Sequence, residues 1–115
     1  MAGNEKLFEN RVKKFLKEQH CWFIKYWGGA VYTKEGIPDL LVCCNGYFIG
    51  IELKGTHGKP SQLQLYNIEQ IKQAGGIAMV LYPNQFEEFK KLIIEINKPK
   101  RKPLLKNWHL KGGDT

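Results

Sequence analysis

The residues of this sequence whose types and spacing most clearly suggest chemistry are two acids and one lysine, Asp39, Glu52 and Lys54. They lie near the two ends of the stretch GIPDLLVCCNGYFIGIELKG, and Asn45-Gly46 at its centre is a strong signal for a two-residue hairpin turn. In such a hairpin, residues that face each other have numbers that sum to 91, so Asp39 lies opposite Glu52. Because side chains alternate between the two faces of a strand, Lys54 shares their face.

This arrangement suggests a site for a divalent cation. Like charges that face each other destabilise a hairpin by about 0.2 to 1 kcal/mol where they are solvated, and by more where they are buried. A bound cation would compensate the repulsion, and hard carboxylate oxygens suit Mg²⁺ or Mn²⁺ better than Zn²⁺. The alternative is purely structural: Glu52 and Lys54 form a solvated pair at a strand end, and Asp39 is a turn residue after Pro38.

The hairpin strands are predicted at Leu40 to Cys44 and Tyr47 to Leu53. Both faces of the hairpin are largely apolar, so we expect it to be central in a sheet and covered on two sides. Cys43 and Cys44 should point to opposite faces and therefore not bond to each other. Together with Cys21, they are interpreted as buried, reduced thiols of an intracellular protein.

The remaining pattern predicts the order α-β-β-β-α-β-α, a mixed sheet with helices on both faces. Outside the hairpin, we predict a helix at about 5–19, an outer strand at 21–27, a helix at about 62–74, a fully buried strand at 77–82 that runs parallel to the second hairpin strand, and a helix at about 85–96. Asn4 is the predicted N-cap of the first helix, and Ser61 with Gln64 forms a capping box on the second. The second helix is expected to bury Leu63, Tyr66 and Ile71, with Leu65 and Ile68 as further candidates.

Length and composition indicate one globular domain. The chain has 115 residues, with no apolar run near the roughly 20 that a membrane span needs and no signal peptide, so we expect a cytoplasmic protein. After residue 96, six basic residues stand against one acid and account for +5 of the net charge of +7. Residues 1–97 are therefore predicted as the domain and 98–115 as a basic tail, which either binds nucleic acid or only solubilises the chain.

The motifs resemble a known class of nucleases. The element order, with Pro38-Asp39 opening one strand and Glu52-Leu53-Lys54 closing its neighbour, resembles the PD-(D/E)xK superfamily. Gly58, Ser61-x-x-Gln64 and Ala74-Gly75-Gly76 make residues 5 to 95 look like a VRR-NUC (virus-type replication-repair nuclease) domain in its small stand-alone form, common in phages. The resemblance implies an α/β fold: a restriction-endonuclease-like αβββαβ core, here followed by a C-terminal helix and the tail.

The resemblance also implies the roles of individual residues. The implied catalytic set is Glu9, Asp39, Glu52, Lys54 and Gln64; the implied ligands of Mg²⁺ or Mn²⁺ are Asp39, Glu52, the Leu53 backbone carbonyl and Glu9, the last directly or through water. Gln62, in a QxxxY pattern with Tyr66, ranks second to Gln64, and Glu5 is the alternative to Glu9. Gly50, opposite Leu41, is expected to leave room for the first helix to bring Glu9 close.

By the same resemblance we expect a DNA endonuclease of repair and recombination. It should act as a homodimer on branched DNA, with four-way (Holliday) junctions preferred, and leave 5′-phosphate ends. We expect it to need no small-molecule cofactor and no membrane. The alternatives are a flap or non-specific repair nuclease, or a nucleic-acid-binding module that does not cut.

Trp27 and Tyr32 are candidates for stacking on bases, with core or rim packing as the alternative for Trp27. The residues expected to contact DNA are Lys34, Lys59, Ser61, Lys100, Arg101 and Lys102.

Overall fold

The computed structural model describes residues 2–28 and 34–99 and confirms the predicted α/β class and element order. The elements are α1 (Ala2–Glu18), β1 (Trp22–Lys25), β2 (Leu40–Cys44), β3 (Tyr47–Leu53), α2 (Gln62–Gln73), β4 (Ile77–Leu81), a 3-10 turn (Pro83–Gln85) and α3 (Phe86–Ile96). The four strands form one mixed sheet that is flanked by helices. Within the described ranges, no helix has both the length and the apolar character to cross a membrane.

The sheet is built around the predicted hairpin. Its strand order is β1-β2-β3-β4, in which β3 pairs antiparallel with β2 and parallel with β4. Asn45 and Gly46 have φ angles of 50° and 88°, as a type I′ turn requires. The pairs Leu40–Ile51 and Cys44–Tyr47 confirm the predicted register. This register brings the residues before β2 next to the end of β3.

One face of the sheet is the hydrophobic core. Helices α1 and α3 cover it, because alternate residues of β2 and β3 and the apolar stripes of both helices meet there. The apolar stripe of α1 is buried there, with Phe8, Val12, Phe15 and Leu16. The central residues of the core are each at most 2% exposed: Phe8, Val12, Leu16, Leu40, Val42, Ile49, Ile51, Phe89 and Ile93. Helix α3 and the sheet therefore hold α1 firmly against the strands that carry the acids.

Helix α2 covers only part of the opposite face. Trp22 and Phe48, near the hairpin turn, are 64% and 44% exposed, so the prediction of a hairpin covered on both sides is wrong for that half. The prediction of buried thiols is confirmed for Cys44 and wrong for Cys43, which is exposed; Cys21 is half-buried, and all three cysteines are free. Burial, followed by the neighbouring Cys44, raises the pKa of Cys21 to about 12, so this thiol stays protonated.

Two elements differ from their predictions. Helix α1 begins at Ala2, so Asn4 lies inside the helix and is not its N-cap. Strand β4 is an edge strand with partly exposed residues rather than a fully buried strand, because β3 is its only neighbour among the described strands. An apolar run such as IAMVL does not by itself distinguish a central strand from an edge strand that a helix covers.

Helix α2 turns a different face to the sheet from the one predicted. Leu63 and Tyr66 are 44% and 58% exposed, whereas Ile68 is buried and Ile71 is half-buried. Its apolar residues are spread around the helix, so periodicity alone does not select one face. Gln64, a polar residue that periodicity would leave in solvent, points inward because its side chain contacts Glu52.

Gly50 makes room for α2 and not for α1. A Cβ at position 50 would lie 2.9 Å from Ile71 Cδ1 and 3.2 Å from Pro38 Cγ. The prediction that Gly50 makes room for Glu9 is therefore wrong. Close packing of α2 at this point holds that helix over the end of β3.

This contact gives a first testable prediction. Gly50→Ala should destabilise the protein by about 1 to 3 kcal/mol, because the added methyl group overpacks the α2 contact. Ile71→Val removes the nearest atom, so Gly50→Ala should be less destabilising in an Ile71→Val background. Urea unfolding of the four proteins of this cycle measures the coupling. Equal destabilisation in both backgrounds would show that Ile71 does not limit the space for a side chain at position 50.

Candidate active site

Asp39 and Glu52 meet at the end of the sheet, as the hairpin register predicts. Glu52 is 2% exposed. Its Oε2 accepts a hydrogen bond from Gln64 Nε2 at 2.9 Å and forms an ion pair with Lys54 Nζ at 3.3 Å. Asp39 Oδ2 accepts a hydrogen bond from the Leu53 backbone N–H at 2.8 Å. The side chains predicted from the hairpin are thus gathered within a few ångströms.

The electrostatics of Glu52 are unfavourable in the absence of a cation. Burial, and then the neighbouring charge of Asp39, raise the pKa of Glu52 to about 7, although Lys54 acts in the opposite direction. Its second oxygen, Oε1, is buried and has no hydrogen-bond partner among the described residues. An unpartnered buried acceptor beside a second carboxylate is destabilising.

A hard divalent cation fits this donor set. Two carboxylates at one point, one of them with an unused buried oxygen, are the ligands that Mg²⁺ or Mn²⁺ prefers. Leu53 lies between Glu52 and Lys54, and its N–H bond to Asp39 fixes the backbone at the site. No cluster of three or more His, Cys, Asp or Glu residues is arranged for a metal in the described part of the chain. The geometry therefore offers two acids, and other ligands would have to be backbone, water or substrate.

Backbone contacts fix both acids and the lysine. The backbone oxygen of Asp39 accepts a hydrogen bond from the Tyr26 N–H at 2.8 Å, which ties the start of β2 to the end of β1. The Lys54 N–H donates to the Leu81 oxygen at 3.1 Å and so extends the pairing of β3 with β4. Gly58 lies against the stem of Lys54, since a Cβ there would be 3.2 Å from Lys54 Cδ. Lys54 is consequently positioned at both its backbone and its side chain.

Gln64 links the start of α2 to the site. The predicted capping box is present: Ser61 Oγ accepts from the Gln64 N–H at 3.1 Å, and Gln64 Oε1 accepts from the Ser61 N–H at 2.8 Å. The amide nitrogen of the same Gln64 side chain donates to Glu52. Capping thus determines which way the amide points, and Gln64, rather than the exposed Gln62, reaches the acids.

Glu9 lies on the other side of the sheet and has different partners. It is 4% exposed and forms ion pairs with Lys6 at 3.3 Å, with Lys13 at 3.2 Å, and with Lys25. Burial alone would raise the pKa of Glu9, but the ammonium groups of Lys25, Lys13 and Lys6 outweigh it and lower the pKa below its ordinary value. Lys25 pairs with Leu40 across β1 and β2 and so points to the α1 face, opposite the face of Glu52.

The structure does not bring Glu9 to the two site acids, and its role as a metal ligand stays a prediction. Sequence reasoning missed the three lysines around it. The spacing of Lys6 and Lys13, three residues before and four after Glu9, is a helical ion-pair signal that could have revealed two of them. Lys25 could not be found in this way, because its contact depends on how α1 packs against β1. Glu5, the alternative acid, lies beside Gly55 at the same end of α1.

The residues predicted to contact DNA are only partly within the described ranges. Lys34, Lys59 and Ser61 are exposed, while Lys100, Arg101, Lys102 and Tyr32 lie outside the described residues, as does the rest of the predicted tail beyond position 99. Trp27 is 71% exposed, which excludes the core-packing alternative for this residue. Its exposure leaves stacking on a ligand as a prediction.

A further residue that sequence reasoning missed is Asn67. This buried side chain donates from Nδ2 to the Leu63 oxygen at 3.0 Å and to the Glu35 oxygen at 3.5 Å. It thereby joins α2 to the segment before Pro38 and Asp39. An asparagine in a helix gives no sequence signal for such a link.

Comparisons with known proteins do not assign the chain to a family. No protein-family model matches it, and no curated protein matches it either. Its function must therefore be inferred from the contacts of its own residues.

Proposed function

We propose that the chain is a Mg²⁺- or Mn²⁺-dependent endodeoxyribonuclease of the PD-(D/E)xK type that its motifs resemble, close to the VRR-NUC domains. The observation that carries the proposal is the Glu52 carboxylate. It is buried against Asp39, its Oε1 has no partner within residues 2–28 and 34–99, and Lys54 lies 3.3 Å from its other oxygen. A purely structural ion pair would not need a second acid at this point.

The residues have separable roles in this proposal. Asp39, Glu52 and the Leu53 carbonyl would hold the ion, which when bound would polarise the scissile phosphate and increase the acidity of a water molecule. Lys54 would orient that water by a hydrogen bond or stabilise the negative charge that develops on the phosphate. Gln64 acts as a positioning residue, because its amide fixes the rotamer of Glu52 while its oxygen is held by the cap.

The finer features of the proposal come from the resemblance. We expect branched DNA, with four-way junctions first, to be cut to give 5′-phosphate ends in the cytoplasm. One chain carries a single set of these residues, so cutting two strands of a junction symmetrically would require a homodimer. Sedimentation of the protein with and without a four-way junction would measure its oligomeric state.

The proposal is tested by incubating the protein with end-labelled four-way junction, flap, linear duplex and single-stranded DNA. Each substrate is tested with Mn²⁺ and with EDTA. Cleavage should require Mn²⁺, should be fastest on the junction, and should disappear in Asp39→Asn. Glu69→Gln, an exposed acid on α2, is the matched control and should cut like the wild type.

The outcomes separate the alternatives. Equal cutting of linear duplex would support a non-specific repair nuclease, and preferential cutting of flaps a flap nuclease. Tight binding in Mn²⁺ without cutting of any substrate would show a nucleic-acid-binding module and would refute the enzyme.

A further inference from the structure

A cavity of about 720 Å³ opens beside the candidate active site, at the same end of the sheet. Its walls come from the first half of α1, the end of β1 and the loop after β3. The residues that matter for its chemistry are Lys6, Glu9, Lys25, Trp27, His57 and Gly58. The roles proposed above for the nuclease use none of these residues, and the contacts of Glu9 point to a role other than the metal ligand that the resemblance implies.

Two lysines and two acids line this cavity, Lys6 and Lys25 with Glu5 and Glu9. The ammonium groups of Lys6, Lys13 and Lys25 all contact the single carboxylate of Glu9. Lys13 is not part of the lining, so Lys6 and Lys25 are the lysines that a ligand in the cavity would meet. Each ammonium group has three N–H donors, and one contact with Glu9 leaves donors unused on every lysine.

A purely structural role does not account for three lysines. One lysine is enough to neutralise Glu9, and like charges held around one carboxylate repel each other. Glu9 instead gathers the ammonium groups at one point, which is what a site for an anion requires.

Trp27 supplies an aromatic surface next to these charges. Lys25 Nζ lies 4.7 Å from the centre of the Trp27 ring, a cation–π contact, and Trp27 is nevertheless 71% exposed. Lysines beside an exposed indole are the combination by which proteins bind a single nucleic-acid strand: charges for the phosphates and a ring for a base.

Two contacts link the cavity to the candidate active site. Gly58 lines the cavity and lies against the stem of Lys54. Tyr26, the neighbour of Trp27, donates its N–H to the backbone oxygen of Asp39. A strand whose phosphate lay at Asp39 and Lys54 could thus continue directly into the cavity.

We propose that this cavity binds one strand of the DNA substrate, with a phosphate on Lys6 and Lys25 and the adjoining base stacked on Trp27. Glu9 is then a positioning residue that holds Lys6 and Lys25, and not a ligand of the metal. The inference rests on the proposed function for the identity of the ligand, DNA, but not on cleavage.

The test measures binding of the full-length chain to a fluorescein-labelled single-stranded oligonucleotide by anisotropy, in EDTA and over a series of salt concentrations. Trp27→Ala should weaken binding by about 5- to 150-fold, the loss of one stacked base, whereas Trp27→Phe should stay close to the wild type. Lys6→Gln and Lys25→Gln should each reduce the slope of log affinity against log salt by about 0.7. Lys91→Gln, an exposed lysine on α3, is the matched control and should not change the slope as these two variants do.

Glu9→Gln distinguishes the two roles of Glu9. A positioning role predicts altered DNA affinity in EDTA with Mn²⁺ affinity close to that of the wild type, measured by calorimetry. Weakened Mn²⁺ binding with unchanged DNA binding would overturn the positioning role and restore Glu9 as a ligand.

The binding and cleavage experiments test the cavity and the nuclease independently, so either proposal can be refuted without the other. Weaker binding by Trp27→Ala and smaller salt slopes for the lysine variants support the cavity even if no substrate is cut, in which case only the nuclease is refuted. Wild-type cleavage in Mn²⁺ together with unchanged affinity and slope in all three variants overturns the cavity and leaves the nuclease standing. Absence of any binding of the oligonucleotide by the wild type also overturns the cavity.

Discussion

Replacing Lys54 by methionine should reduce DNA cleavage by at least about 10²- to 10³-fold, the usual loss when a group that stabilises transition-state charge is removed. DNA binding should change little. Methionine keeps most of the apolar stem that packs against Gly58, so the loop after β3 should keep its place. The ammonium group itself would be lost, and with it the ion pair to Glu52. Single-turnover cleavage in Mn²⁺ and anisotropy in EDTA measure the two effects separately.

Two further variants make this result specific. Lys91→Met removes an exposed lysine on α3, outside the residues expected to contact DNA, and should retain nearly full activity. Lys54→Arg keeps the charge but changes its shape and reach, and should recover only part of the rate. Turnover by Lys54→Met close to that of the wild type would show that the reaction takes place elsewhere on the chain.

The pH dependence provides a second readout for Lys54. This lysine opposes the rise in the pKa of Glu52, so its removal should raise that pKa further. Residual activity of Lys54→Met should therefore reach its maximum at higher pH than wild-type activity. A lysine that only packed against Gly58 would lower the rate without moving the pH profile.

The sequence predicts this site well because the relevant contacts are local. Asn45-Gly46 sets the register of β2 against β3, and the register alone brings Asp39 to Glu52. The cap is local as well: the spacing of Ser61 and Gln64 predicts the hydrogen bonds between them. Contacts between residues on adjoining strands or within one helical turn require no knowledge of how the elements pack.

Contacts that depend on packing could not be predicted in this way. The inward rotation of α2 follows from the close contact of Ile71 with Gly50 and from the bond between Gln64 and Glu52. The position of Glu9 depends on the pairing of β1 with β2, which directs Lys25 towards α1. Periodicity identifies Glu9 as lying beside an apolar stripe, but it does not show what the stripe packs against.

The pKa of Glu52 leads to a prediction about stability. A carboxyl whose pKa is higher in the folded than in the unfolded protein favours folding while it is protonated. That contribution is complete below its ordinary pKa and disappears as the pH rises through about 7. Metal-free wild-type protein should therefore lose stability between about pH 5 and pH 8, by on the order of 3 kcal/mol at 1.36 kcal/mol per pKa unit.

Glu52→Gln should remove most of this loss. Glutamine has the same shape as the protonated acid and carries no charge at any pH, so the variant should be more stable than the wild type at pH 8 and similar to it at pH 5. Urea unfolding in EDTA across this pH range measures the difference, and Glu69→Gln on the exposed surface of α2 should follow the wild-type curve. Parallel curves for the wild type and Glu52→Gln would mean that Glu52 does not titrate abnormally.

Adding Mn²⁺ should reverse the order of stability at pH 8, so that the wild type becomes more stable than Glu52→Gln. A cation that binds ionised Glu52 stabilises the folded wild type more at pH 8 than at pH 5, because no proton has to be displaced at the higher pH. Near pH 7, calorimetry in two buffers of different ionisation enthalpy should detect proton release when Mn²⁺ binds the wild type, and little release with Glu52→Gln. Proton release links the unpartnered oxygen of Glu52 to the metal directly, because a structural ion pair with Lys54 would bind no Mn²⁺ and release no proton.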